Sequence, residues 1–179
     1  MGVIVVFGVV ILFASVQLAG QIMSFQMGFS MARAIDPTTG VQSTALSQFL
    51  YLFTVLIFFA IDGHHLAIRA IAASFHIAPP NGLSFDPGLA EAVMRISAGM
   101  FLVGLKVAAP IMIALFLSNL CLGIVARTVP QVNILMIGFP INIGIGLILF
   151  GILLSNLSPF LTDFTRGTAT AMIRLLRMM

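Results

Sequence analysis

Long stretches of this chain carry no charge. Residues 1–32, 37–61, 107–126 and 128–162 hold no Asp, Glu, Lys or Arg, and most of each stretch is apolar. A soluble domain carries about 25% charged residues. This 179-residue chain carries 7%, with 60% hydrophobic residues and a mean hydropathy of +1.18. So little polar side chain does not cover a compact soluble fold. The composition points to a polytopic membrane protein or a subunit buried in a large hydrophobic assembly. In lipid, backbone polar groups pair within their own helix or in a closed barrel. Barrel strands alternate apolar and polar residues, and these unbroken runs do not. The expected fold class is all-α: polytopic membrane-type helical hairpins with kinked helices, as part of a helical assembly.

The first helix is expected to run to about Ala34. That exceeds the roughly 20 residues that a bilayer needs, with Gly20 a candidate kink. Gly20, Ser24, Gly28 and Ala32 recur every four residues, a small-residue face suited to helix packing. Met23, Met27 and Met31 form an adaptable row beside it. Asp36-Pro37, Thr38, Thr39 and Gly40 then read as a turn. A second helix is expected from near Thr44. It is expected to continue through Asp62-Gly63-His64-His65 to about His76, so Asp62, His65 and Arg69 would share one face.

Pro79-Pro80-Asn81-Gly82 is a firm break. Asp86-Pro87 reads as the start of a third helix, from about Gly88 to Ala126. Pro110 is expected to kink it, and Ser118-Asn119 is its polar spot. Arg127 to Asn133 is a connection short enough to force an antiparallel hairpin. Pro140 is expected to break or kink the fourth helix. Gly144, Gly146 and Gly151 offer close approach to a neighbour. Ser158-Pro159 reads as the start of a separate amphipathic tail helix reaching Met179.

Motif tests argue against chemistry. Adjacent helical residues point about 100° apart, so His64 and His65 are not expected to share a metal. H-E-x-x-H spacing, Cys-x-x-Cys pairs and a phosphate-binding glycine loop are absent from the sequence. The expectation is therefore no catalytic residue, no metal and no cofactor. The bland alternative for Asp62-Gly63-His64-His65 is a polar helix turn. The net charge of +3 includes Arg166, Arg174 and Arg177 in the tail, which suits a membrane surface. No basic cluster carries interleaved aromatics, so no nucleic-acid partner is expected. Cys121, the single cysteine, reads as packing. Asp62, Arg69, Arg95 and Lys106 would each cost roughly 2.5–3.5 kcal/mol at a bilayer centre. They fit either a relay in a small-solute or ion secondary transporter or clamps between helices.

Three segments carry a resemblance. GQ…QMGFSMARAIDPTTG, LSQFLYLFTVLIFFAIDGHHLAIRAIAASFH and LSNLCLGIVARTVPQVNILMIGFPINI resemble, in order, the signature segments of the FliR-type export-gate family. This is the type III secretion core subunit of the bacterial flagellum, with a counterpart in injectisomes. The resemblance spans nearly the whole chain. It implies a subunit of the flagellar export gate in the bacterial inner membrane, at the flagellar basal body. The implied partners are FliP-like and FliQ-like subunits, an FlhB-like switch protein and unfolded flagellar export substrates.

The resemblance also implies a division of the chain as one helical unit. Residues 1–87 would be a FliP-like part with a pore loop at about 31–44. Residues 88–154 would be a FliQ-like hairpin, and 155–179 an amphipathic tail. Met27, Met31, Ile35, Asp36, Pro37 and Gly40 would form the plug. Asp62, His64, His65, Arg69, Lys106, Arg127, Gln131 and Asn133 would be buried structural polar groups. Members of the family are usually longer at the N-terminus, so the resemblance implies further helices ahead of those read here. The family often carries Asn where this chain has Asp62.

Overall fold

The computed structural model describes residues 2–29, 44–77, 88–128 and 134–177. They form five helices: α1 (Gly2–Gln26), α2 (Ala45–Ala60), α3 (Gly63–Ile77), α4 (Gly88–Thr128) and α5 (Ile134–Arg177). No strand occurs among the described residues. The protein is all-α.

Helix α1 is the spine and touches each of the other four helices. It is apolar all round, yet one face is chosen for burial: Leu12, Val16, Ala19, Met23 and Met27 are all at most 2% exposed. Small residues make that choice. A β-carbon built on Gly20 would lie 2.7 Å from Ser47 Cα, so α2 meets α1 nearly backbone to backbone. One on Gly104 would lie 2.9 Å from the Ser15 carbonyl oxygen, bringing α4 as close on another side. The buried hydroxyls cost little because each donates to its own helix: Ser15 Oγ to the Ile11 carbonyl at 2.6 Å and Thr54 Oγ1 to Leu50 at 2.8 Å.

Helices α4 and α5 form the expected hairpin. Their inner faces meet the spine through Val107, Ala108, Ile111 and Leu115 on one and Phe150, Leu157 and Leu161 on the other. Both helices run unbroken through their prolines: Pro110 in α4, Pro140 and Pro159 in α5. The expected tail helix starting at Ser158-Pro159 is therefore corrected to a continuation of α5. An interior proline costs about 3 kcal/mol. Leu157 and Leu161 flank Pro159 and are each 1% exposed. Fully burying a leucine contributes about 1.5–3 kcal/mol, so the pair offsets the proline and holds the helix through it.

Three stretches are long and apolar enough to cross a membrane: Val6–Gln26, Val93–Thr128 and Met136–Thr165. The pair α2 and α3 passes the same test jointly but is bent by 67°. The protein is membrane-embedded by this measure.

Candidate functional site

The segment 30–43 holds most of the residues expected to plug a pore. Met31, Ala32, Ile35, Asp36, Pro37 and Gly40 lie outside the described residues. What the structure does describe is the stem from which the segment leaves and to which it returns.

The departing end is a helix stop. Gly28 takes φ +89°, a left-handed conformation that glycine adopts without a Cβ penalty. Its N–H donates to the Phe25 carbonyl at 3.1 Å, and the Phe29 N–H donates to the Ser24 carbonyl at 3.0 Å. These two bonds make a Schellman motif, which satisfies carbonyls at a helix end. The expectation of a helix to about Ala34 is thus corrected: α1 ends at Gln26. The four-residue row is split accordingly. Gly20 and Ser24 stay on the helix, and Gly28 becomes its stop, with a hypothetical β-carbon only 2.7 Å from the Phe139 ring of α5.

The returning end is pinned to the same place. Thr44 is the N-cap of α2, its hydroxyl accepting from the Ser47 N–H at 3.4 Å. That hydroxyl donates to Ser24 Oγ at 2.6 Å, while Ser24 Oγ donates to the Gly20 carbonyl at 2.7 Å. Ser47 Oγ closes the cluster by donating to the Thr44 carbonyl at 2.8 Å. Ser24 therefore holds both ends of the segment. Below it, Met27 is fully buried and fills the notch at Gly146, where an added β-carbon would meet its side chain at 2.6–2.8 Å. An open groove of about 430 Å³ runs beside the stem, lined in part by Phe25, Gln26, Thr44 and Met112.

The second polar feature is the bend between α2 and α3. The sequence reading carried one helix through it; the structure breaks it at Ile61–Asp62. Asp62 has φ +57°, a left-handed conformation that Asp and Asn tolerate better than other residues with a side chain. Its carbonyl accepts from the Leu66 N–H at 3.2 Å, so Asp62 closes α2 and opens α3. Gly63 lets the Phe58 ring fold over the bend: a β-carbon there would lie 2.5 Å from that ring.

The polar groups expected to be buried are placed as follows in the chain by itself. Asp62, His65, Arg69, Lys106 and Arg127 are exposed in this chain, and His64 is half-buried. Asp62 and His65 lie at the bend, and Arg127 lies in the last turn of α4, where a cation favours the helix dipole. Lys106 lies on the outer face of α4 and makes no ion pair among the described residues. Asp62, His65 and Arg69 border one open notch with Thr162 and Thr165 of α5; Lys106 does not. Gln131 and Asn133 lie outside the described residues.

The sequence reading missed Asn142. It is 9% exposed and lies in the third turn of α5. It accepts from Ser118 Oγ at 2.8 Å and donates to Asn119 Oδ1 at 2.7 Å, a polar clamp across the α4–α5 hairpin. An asparagine within an apolar run opposite Ser118-Asn119 was the available signal. A β-carbon built on Gly144 or Gly151 would meet nothing within 4 Å among the described residues, whereas one built on Gly146 would meet Met27.

Residues 1–168 match the model of the bacterial export proteins, family 1. The chain belongs to that family. Among its export-protein relatives is the flagellar biosynthetic protein FliR of Bacillus subtilis (strain 168), 40% identical over 147 residues; these cover 79% of this chain and 56% of that protein. FliR of Pectobacterium carotovorum subsp. carotovorum is 36% identical over 151 residues, 83% of this chain and 57% of that protein. FliR of Escherichia coli (strain K12) is 32% identical over 148 residues, with coverage of 83% and 57%. The chain thus spans a little over half the length of these relatives.

Proposed function

We propose that this export-family chain works as a subunit of the flagellar type III protein export gate. In this reading it helps form the channel for unfolded flagellar proteins and is not an enzyme. Its place is the bacterial inner membrane at the flagellar basal body, with FliP-like, FliQ-like and FlhB-like proteins as neighbours. Segment 30–43 acts as the plug. The α4–α5 hairpin, up to about residue 154, is the FliQ-like half, and the helices before it are the FliP-like half.

The observation that carries the gating role is the stem at Ser24. Ser24 bonds the last described residue before the segment and the first one after it, which suits a plug set on a fixed base. Met27 seals the base of that stem. The segment contains the turn residues Asp36, Pro37 and Gly40, which suit a compliant closure around varied polypeptides. The exposed apolar faces of α4 and α5 suit burial against neighbouring helices or lipid. A relay for solute transport is less well supported, because Lys106 stands apart from the Asp62–Arg69 notch.

The test is deletion of Thr38–Ser43 in a flagellated host. The gate reading expects ions or small molecules to leak through the membrane while the chain still accumulates. A mutant that is tight to ions and exports normally would remove the plug from the account.

A further inference from the structure

Asp62, His64 and His65 stand together although the sequence spacing argued that they would not. The ring centroids of His64 and His65 are 4.2 Å apart. Asp62 Oδ1 lies 4.0 Å from His65 Nε2. One ligand atom from each of the three residues falls within 4.8 Å of the others. The cause is the broken helix. Asp62 stands in the left-handed bend, and the histidines occupy the first turn after it.

A second observation concerns His64 itself. Its Nδ1 is buried and has no hydrogen-bond partner among the described residues. Such an orphaned buried polar atom calls for an unseen water, ion or ligand. Phe59 packs against this imidazole, with ring centroids 5.2 Å apart.

We propose that Asp62, His64 and His65 form a binding site for a late first-row divalent cation of the Zn²⁺ class, with water completing the coordination. Two imidazoles and a carboxylate are a donor set that suits such ions. Ligand bonds of about 2.0–2.2 Å place donor atoms of a tetrahedral site about 3.3–3.5 Å apart. Closing from the observed separations moves each donor by roughly 0.7 Å, within reach of small side-chain rotations. Asp62 and His65 are exposed and free to make them. Arg69 borders the same notch and opposes the ion electrostatically, but its exposed guanidinium is screened by water. The bound ion ties the bend residue to the first turn of α3 and so stiffens the 67° bend.

The experiment is a Co²⁺ titration of the full chain, purified in detergent without a polyhistidine tag and stripped with a chelator. Visible d–d absorption should rise to saturation at one ion per chain and bleach when Zn²⁺ is added. Asp62→Asn, His64→Ala and His65→Ala should each weaken binding at least about 10-fold. His65→Cys, which keeps a donor in place, should retain the ion and add sulfur-to-cobalt charge-transfer absorption. Glu91→Gln, which alters an exposed carboxylate on α4, should leave the curve unchanged. Absence of the bands in the unaltered chain, or Asp62→Asn and His65→Ala titrating like it, would overturn the site. Neither result depends on whether the chain exports protein.

Discussion

Helix α1 and the α4–α5 hairpin are made of nearly the same apolar material and use it in opposite ways. In the span at α1, 44% of the most apolar window is buried within the chain, against 28% for α4 and 22% for α5. Hydropathy does not separate them. What separates them is the placement of small residues. Gly20, Gly104 and Gly146 each bring a neighbour close to the spine or its cap. The outer faces of the hairpin instead carry Phe101, Ile113, Phe116, Ile124 and Ile148, all more than half exposed. The spine is covered by its own chain to a greater extent. The hairpin is finished by whatever surrounds it, which in a membrane assembly is lipid or other subunits.

That comparison is sharpest where the spine is most filled. Met27→Ala would leave a cavity at the Gly146 notch. The expected loss is about 2–5 kcal/mol, read as a lower melting temperature by circular dichroism in detergent. An unchanged melting point would place the seal elsewhere. Gly20→Ala comes next. Its new methyl would meet Ser47 backbone, and separating α1 from α2 is expected to cost about 1–3 kcal/mol in the same assay. Thr44→Ala removes both a helix cap and the bond to Ser24, at about 0.5–2 kcal/mol. Hydrogen exchange should then quicken at the first turn of α2 before it does in α4. At the other end of the scale, Ile148→Ala on the outer face should change the melting temperature of the isolated chain by less than about 0.5 kcal/mol equivalent. A loss as large as that of Met27→Ala would erase the distinction between spine and hairpin.

The sequence made part of this legible. The α4–α5 hairpin followed from two charge-free runs and a short polar connection. Thr44 announced the start of α2. Gly28 was misjudged because it continues a four-residue row of small residues, so a helix stop looked like one more packing position. The bend at Asp62 was hidden because helix-compatible residues flank it on both sides. Only the need for a left-handed residue before Gly63 marks it. Pro159 was given too much weight, since the leucines around it are buried by tertiary contacts that local sequence does not display. The pairing of Met27 with Gly146 and the clamp at Asn142 are long-range meetings, and no local pattern announces them.

In the proposed gate, the segment on the Ser24 stem would face the export path and the outer face of the hairpin would not. The most direct measurement places a photo-crosslinking amino acid at position 40 in one variant and at position 148 in another. Both are irradiated in cells that carry a stalled flagellar export substrate. Position 40 is expected to capture the substrate, and position 148 only neighbouring subunits or lipid. Substrate captured from position 148 and never from position 40 would contradict this placement.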